Sequence, residues 1–206
     1  MDGTLIDSSE IKTLAFRKLY EVHGQDVADK VVSYHLEHQG VCRFDKFRFW
    51  QETLLGESYT ESVGQALSQQ FNELVVDAVV DAPYIPGAWE FLENYYELIP
   101  LFIASATPEA ELKEIVSRRG MAKYFKGVFG APATKGDILR RIVAENGLEA
   151  RKVLMVGDAA SDYLGAQLGG TAFAGISEDE CLTGLGNVER RLPDLKRLEL
   201  VVVGHN

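Results

Sequence analysis

Beyond residue 87 the chain alternates short apolar runs with amphipathic stretches, and no other feature narrows the fold as much. A helical pattern around Ala88–Glu97 leads into the run "LFIAS", which ends near Ser105. Pro108–Arg119 reads as a helix, with proline in its first turn and Gly120 just past its end. "GVF" at 127–129 is a short strand, "KGDILRRIVAENG" a helix stopped by Gly147, and "KVLMVGD" a buried strand. A helix through Ala166 and the strand "TAFAGI" complete the series. Buried strands joined by helical crossovers make a parallel sheet between helical layers, a three-layer α/β fold. Ligands of such sheets gather at the carboxyl ends of the strands.

The first eighty residues follow a different period. Apolar side chains recur at helical spacing in four segments: Ile11, Leu14, Ala15 and Leu19; Val27, Val31 and Val32; Phe44, Phe47 and Trp50; Val63, Leu67, Phe71, Leu74 and Val75. Ser8 or Ser9 is placed to cap the first helix and Thr60 the last. "DAPYIPG", residues 81–87, marks the boundary between the two patterns. One strand-like run remains, "LELVVV" at 198–203, which reads as an edge strand or surface segment.

Three strand ends carry side chains suited to phosphate. Ser105 and Thr107 follow "LFIA", Asp158 and Asp162 follow "VLMVG", and Lys135 opens the helix before that last strand. With Asp2 of the opening "MDGTLIDSSE", the set comprises hydroxyls for phosphoryl oxygens, an ammonium to neutralise them and carboxylates for a hard cation. Mg²⁺ is usually held in this way, by one or two carboxylates plus waters and substrate phosphate. Each residue also has an ordinary reading: a turn serine, a solvated lysine, an aspartate capping a helix. The net charge of −10, from 31 acidic and 21 basic residues, repels nucleic acid and anionic membranes, so an anionic ligand needs a local positive site or a metal. Apolar runs such as "VLMV" are too short to span a bilayer. Cys42 and Cys181 form no C-x-x-C or ligand-spaced cluster, and a reducing cytoplasm is expected.

Order and spacing then become specific. "DGTLIDS", "FIASATP", Lys135 of "ATKGDIL" and "MVGDAASD" follow one another as the four motifs of the haloacid dehalogenase superfamily do. The chain resembles the phosphoglycolate phosphatase and β-phosphoglucomutase branch over nearly its whole length. That resemblance implies a Rossmann-like core at residues 1–9 and 83–206, with an all-helical cap inserted at 10–82. It makes Asp2 the general acid–base, with its backbone carbonyl on Mg²⁺, Asp158 a metal ligand, and Asp162 a second ligand or the holder of a metal-bound water. Ser105 and Lys135 become phosphoryl anchors, and Gly3, Thr4, Ala106 and Thr107 substrate contacts. "GVCR" at 40–43 resembles a cap loop that reaches down to the substrate, with Arg43 its contact. The implied partner is a small phosphate ester, with no nucleic acid or membrane, and the protein a monomer or homodimer.

One position departs from the pattern. In Asp-x-Asp-Gly-Thr the first Asp attacks phosphorus to form an aspartyl-phosphate, and here Met1 stands at x. The attacking Asp has no counterpart, nor has the first strand, which in this family lies between the strands bearing Ser105 and Asp158. Three expectations follow: residues preceding Met1 supply both in a longer, active phosphatase; the chain is a catalytically dead phosphate-ester-binding or regulatory protein; or "LELVVV" fills the place. Asp at position 2 favours phosphoryl transfer over dehalogenation, because a leaving oxygen needs an acid. A sugar phosphomutase is the competing reaction, with Arg43 on a second phosphate. Phosphonate cleavage would need a cap lysine, and sequence distinguishes none of Lys12, Lys18, Lys30 and Lys46. His35 and His38 read as surface or cap residues, and the aromatic helix around Phe44, Phe47, Phe49 and Trp50 as one that exposes its charges.

Overall fold

The helical period before residue 82 becomes four helices in the computed structural model, which describes residues 1–176 and 191–203. They are α1 (Ser9–Tyr20), α2 (Gln25–Glu37), α3 (Arg43–Phe49) and α4 (Glu61–Asp81), with a π-helical turn, Trp50–Leu55, continuing α3. Their apolar faces meet around Phe16, whose ring lies 6.0, 5.1 and 4.3 Å from those of Phe47, Trp50 and Phe71. Such aromatic pairs add about 0.5–1.5 kcal/mol each beyond the area they bury. Thr60 caps α4, its Oγ1 accepting from the Val63 N–H at 3.3 Å. Ser8 stands at the N-cap position of α1 but does not cap it; its hydroxyl donates to Asp2 instead, at 2.7 Å.

The alternating segment gives α5 (Ala88–Tyr95), β1 (Phe102–Pro108), α6 (Glu109–Arg118), β2 (Gly127–Ala131) and α7 (Lys135–Glu145). β3 (Leu154–Gly157), α8 (Ala160–Gly169) and β4 (Ala172–Ile176) follow, then β5 (Arg191–Leu192) and α9 (Leu198–Val203). Among the described residues these strands pair in parallel: Phe102 faces Gly127, Leu154 faces Ala172, and Gly175 faces Arg191. Among the described residues the strands form two sheets, β1-β2 and β3-β4-β5, rather than one. The N-terminal turn joins the two at their carboxyl ends through side chains, Asp2 to Thr107 of β1 and Thr4 to Asp158 just past β3.

"LELVVV" is helical, not a strand, and fills no place in either sheet. A short apolar run fits a buried strand and one helix face equally well. Here Leu198 is buried against Ala88, Phe91, Ile176 and Leu195 while Leu200 is exposed. The two patterns of the sequence share their interior. One buried cluster runs from Phe16, Trp50 and Val75 of the helices to Ile103, Leu112 and Ile115 of the α/β part. Among the described residues no helix is long and apolar enough to cross a membrane. Cys181 lies outside the described residues.

Candidate active site

Side chains on β1 alternate, which puts Ile103, Ser105 and Thr107 on one buried side. The end of β1 and the turn after β3 open onto a cavity of about 100 Å³. Asp2, Ser105, Ala106, Thr107, Lys135, Asp158 and Asp162 border it, so residues from four separate segments converge. Gly40, Val41, Arg43 and Lys46 border it too, contributed by the helical segment and its 40–43 loop. That loop does come down to the strand ends. A Cβ on Gly40, whose φ is +73°, would stand 2.1 Å from Ser161 Oγ and 3.2 Å from Lys135 Nζ, so only glycine permits the approach.

Hydrogen bonds fix these groups in position. Ser105 Oγ accepts from the Thr107 N–H at 3.2 Å. Lys135 Nζ lies 2.6 Å from Asp162 Oδ1 and donates to Ser161 Oγ at 2.9 Å. The other oxygen of Asp162 accepts from the Ala159 N–H at 3.1 Å, so Asp162 also stabilises the start of α8. Thr4 Oγ1 donates to Asp158 at 2.6 Å. Burial, then the charge of Asp162, push the Asp158 carboxyl above its usual range, with the Thr4 bond partly opposing them. Asp2 accepts from Ser8 and Thr107, and Lys12 Nζ lies 2.7 Å from its Oδ2. Burial alone would raise the Asp2 carboxyl; the charge of Lys12 and the hydrogen bonds from Lys12 and Ser8 oppose it and hold Asp2 well below the ordinary carboxylate range.

Some expected residues stand elsewhere. Gly3 and Thr4 are not among the residues bordering the cavity; they support Asp158 from behind. Gly3 has φ of +67°, and a Cβ there would fall 2.2 Å from Asp158 Oδ2. Arg43 borders the cavity, but its guanidinium is committed to Glu111 Oε1 at 2.7 Å and Asn72 Oδ1 at 2.5 Å. The α3 helix does not expose all its charges: Lys46 is only 2% exposed, and His35, expected at the surface or in the cap, is buried against it. Lys12, Lys46 and His35 all border the cavity, and sequence reading singled out none of them. Their one signal was position, since Lys12 lies one turn before Phe16, and Lys46 beside Phe47, on faces otherwise given to the core.

Oxygen donors predominate at the strand ends. Asp158 and the backbone carbonyl of Asp2 are the groups that could hold a hard cation, since both Asp162 oxygens are engaged. Among the described residues no cluster of three or more His, Cys, Asp or Glu is present, a sparse donor set of the kind Mg²⁺ accepts.

A parallel α/β scaffold that gathers hydroxyls, lysines and carboxylates at its strand ends, beneath a helical segment, defines a capped α/β enzyme. The chain belongs to the haloacid dehalogenase-like hydrolases, whose family model matches residues 1–176. It is 25% identical over 194 residues to a phosphoglycolate phosphatase of Vibrio parahaemolyticus, covering 86% of this chain and 81% of that protein. A 5'-nucleotidase of Pseudomonas aeruginosa is 31% identical over 90 residues, or 39% of this chain and 41% of that protein. In fold it is similar to β-phosphoglucomutase from Clostridium difficile, with a TM-score of 0.79 at 16% identity, covering 100% of this chain and 94% of that one.

Proposed function

We propose that the protein is a Mg²⁺-dependent phosphatase of a small phosphorylated metabolite, with residues 10–82 as a cap over a core of residues 1–9 and 83–206. One observation carries the reading: Ser105, Lys135, Asp158 and Asp2 meet at one cavity from four distant segments. Mg²⁺ suits the site because a cation beside Asp158 would relieve both its burial and its repulsion by Asp162. When bound, it supplies positive charge against the anionic ester. Ser105 Oγ and Lys135 Nζ orient the phosphoryl oxygens. In the aspartyl-phosphate route implied by the motif, the attacking carboxylate belongs to the first Asp of Asp-x-Asp-Gly-Thr, which has no counterpart among residues 1–206. Asp2, held ionised by Lys12, is suited to take a proton from the hydrolytic water. To protonate the leaving oxygen it must first take up a proton from solvent, which requires Lys12 to turn from it toward the substrate.

Hydrolysis is favoured over phosphomutase chemistry because Arg43, the expected anchor of a second phosphate, is committed to Glu111 and Asn72. The test compares the chain with one extended by its upstream reading frame, on p-nitrophenyl phosphate with Mg²⁺. The extended protein should turn over, lose activity in EDTA, and fall at least 100-fold on Asp158→Asn. Absence of turnover on every phosphate ester in both forms would defeat the reading. Turnover by the unextended chain would place the nucleophile elsewhere.

A further inference from the structure

We propose that Lys46, flanked by Lys12 and His35, recognises a second anionic group on the substrate, a carboxylate or second phosphate borne by the leaving alcohol. The proposal rests on the phosphatase reading and narrows its substrate class. It comes from pairing the cations around the cavity with their anions. Lys12 lies 2.7 Å from Asp2, Lys135 2.6 Å from Asp162, and Arg43 2.7 Å from Glu111. Lys46 differs: its Nζ meets His35 Nδ1 at 2.7 Å, and among the described residues it has no anionic partner. It is nonetheless buried and borders the cavity.

A buried ammonium without an anion is costly. Burial, then the charge of Lys12, push Lys46 down to about 7, and burial with Lys46 and Lys12 pushes His35 down to about 3. His35 is therefore neutral, with Nδ1 as acceptor, and supplies no compensating charge. A ligand anion would supply it. The position suits one: Lys46 stands on α3, on the cap side of the cavity, and Lys12 reaches Asp2 and Thr107 on the other side. An ester phosphate at Ser105 and Lys135 thus shares its cavity with Lys46, which is placed to meet a group on its alcohol portion. A site built around an ionic partner discriminates strongly against an analogue that leaves it unmatched.

Calorimetry of the full chain with Mg²⁺ tests this, using 2-phosphoglycolate, 1,3-propanediol bisphosphate and ethyl phosphate. At least one of the two doubly anionic esters should bind tenfold or more tightly than ethyl phosphate, and whichever does identifies the group as carboxylate or phosphate. Lys46→Met should shrink that ratio below threefold, while Lys46→Arg, which keeps the charge, should retain a preference. Equal binding of the three esters, or an undiminished ratio in a Lys46→Met protein with native circular dichroism, would overturn the proposal. Acetylation of Lys46 by acetic anhydride, read by mass spectrometry, gives an independent measure. Malonate, which has no phosphate, should slow it at least threefold, and no protection counts against the site. If malonate protects and no ester binds, the anion site stands and the phosphatase reading alone fails.

Discussion

Lys46 shows how one residue can set both a recognition preference and a stability profile. Its value is about 7 in the folded protein and 10.5 in the unfolded chain, so between these the unfolded state holds the extra proton. Stability from this group is then complete above 10.5 and is lost as pH falls toward about 7. The expected outcome is a gap in thermal midpoint between wild type and Lys46→Met that moves in favour of wild type as pH rises from 7 to 10. A constant gap would mean that Lys46 is not desolvated as described. Sequence reading could place Ser105, Asp158 and Lys135 because each stands at a strand end or helix start, where chain direction fixes the site. It could not separate Lys46 from Lys18 or Lys30. A lysine on an amphipathic helix looks solvated until the neighbouring helices show which face is covered, and burial is decided by that packing.

Between elements, the Arg43–Glu111 pair joins α3 to α6, with side chains 5% and 2% exposed. Among the described residues Glu111 Oε2 has no hydrogen-bond partner, so the geometry is good on one oxygen only. Removing one member of such a buried pair typically costs about 3–5 kcal/mol, whereas replacing both by apolar groups is often neutral or better. Glu111→Ala should therefore destabilise strongly in urea, and Arg43→Met with Glu111→Leu should recover most of the loss. If the single and double variants lose equally, the pair does not couple the helices. Element identity was legible wherever a run was long or repeated, as in α4 and the β1–α6–β2–α7 series. It failed at 198–203, where six residues cannot reveal a period, and Leu198 took its place by burial against α5 and β4. Nor could it foresee two sheets, because strand pairing depends on neighbours that local pattern does not contain.

At the scale of the molecule, one continuous interior links the helical and α/β segments. Trp50 is fully buried in the former, and Trp89 is half-exposed on α5 in the latter. Two-state unfolding follows when no boundary divides the core. Tryptophan fluorescence and far-ultraviolet circular dichroism should thus give coincident urea transitions, also with Trp89→Phe to isolate Trp50. Separate midpoints would mean that the helical segment unfolds by itself.

The cavity takes its walls from both patterns of the chain, Gly40 to Lys46 on one side and the strand ends with Lys135 on the other. The spacing of those walls is therefore set by the interior that the two patterns share. A change of volume at Val75 or Ile115, which lie in that interior and do not border the cavity, would reset the distance between groups that no substitution at the site had touched.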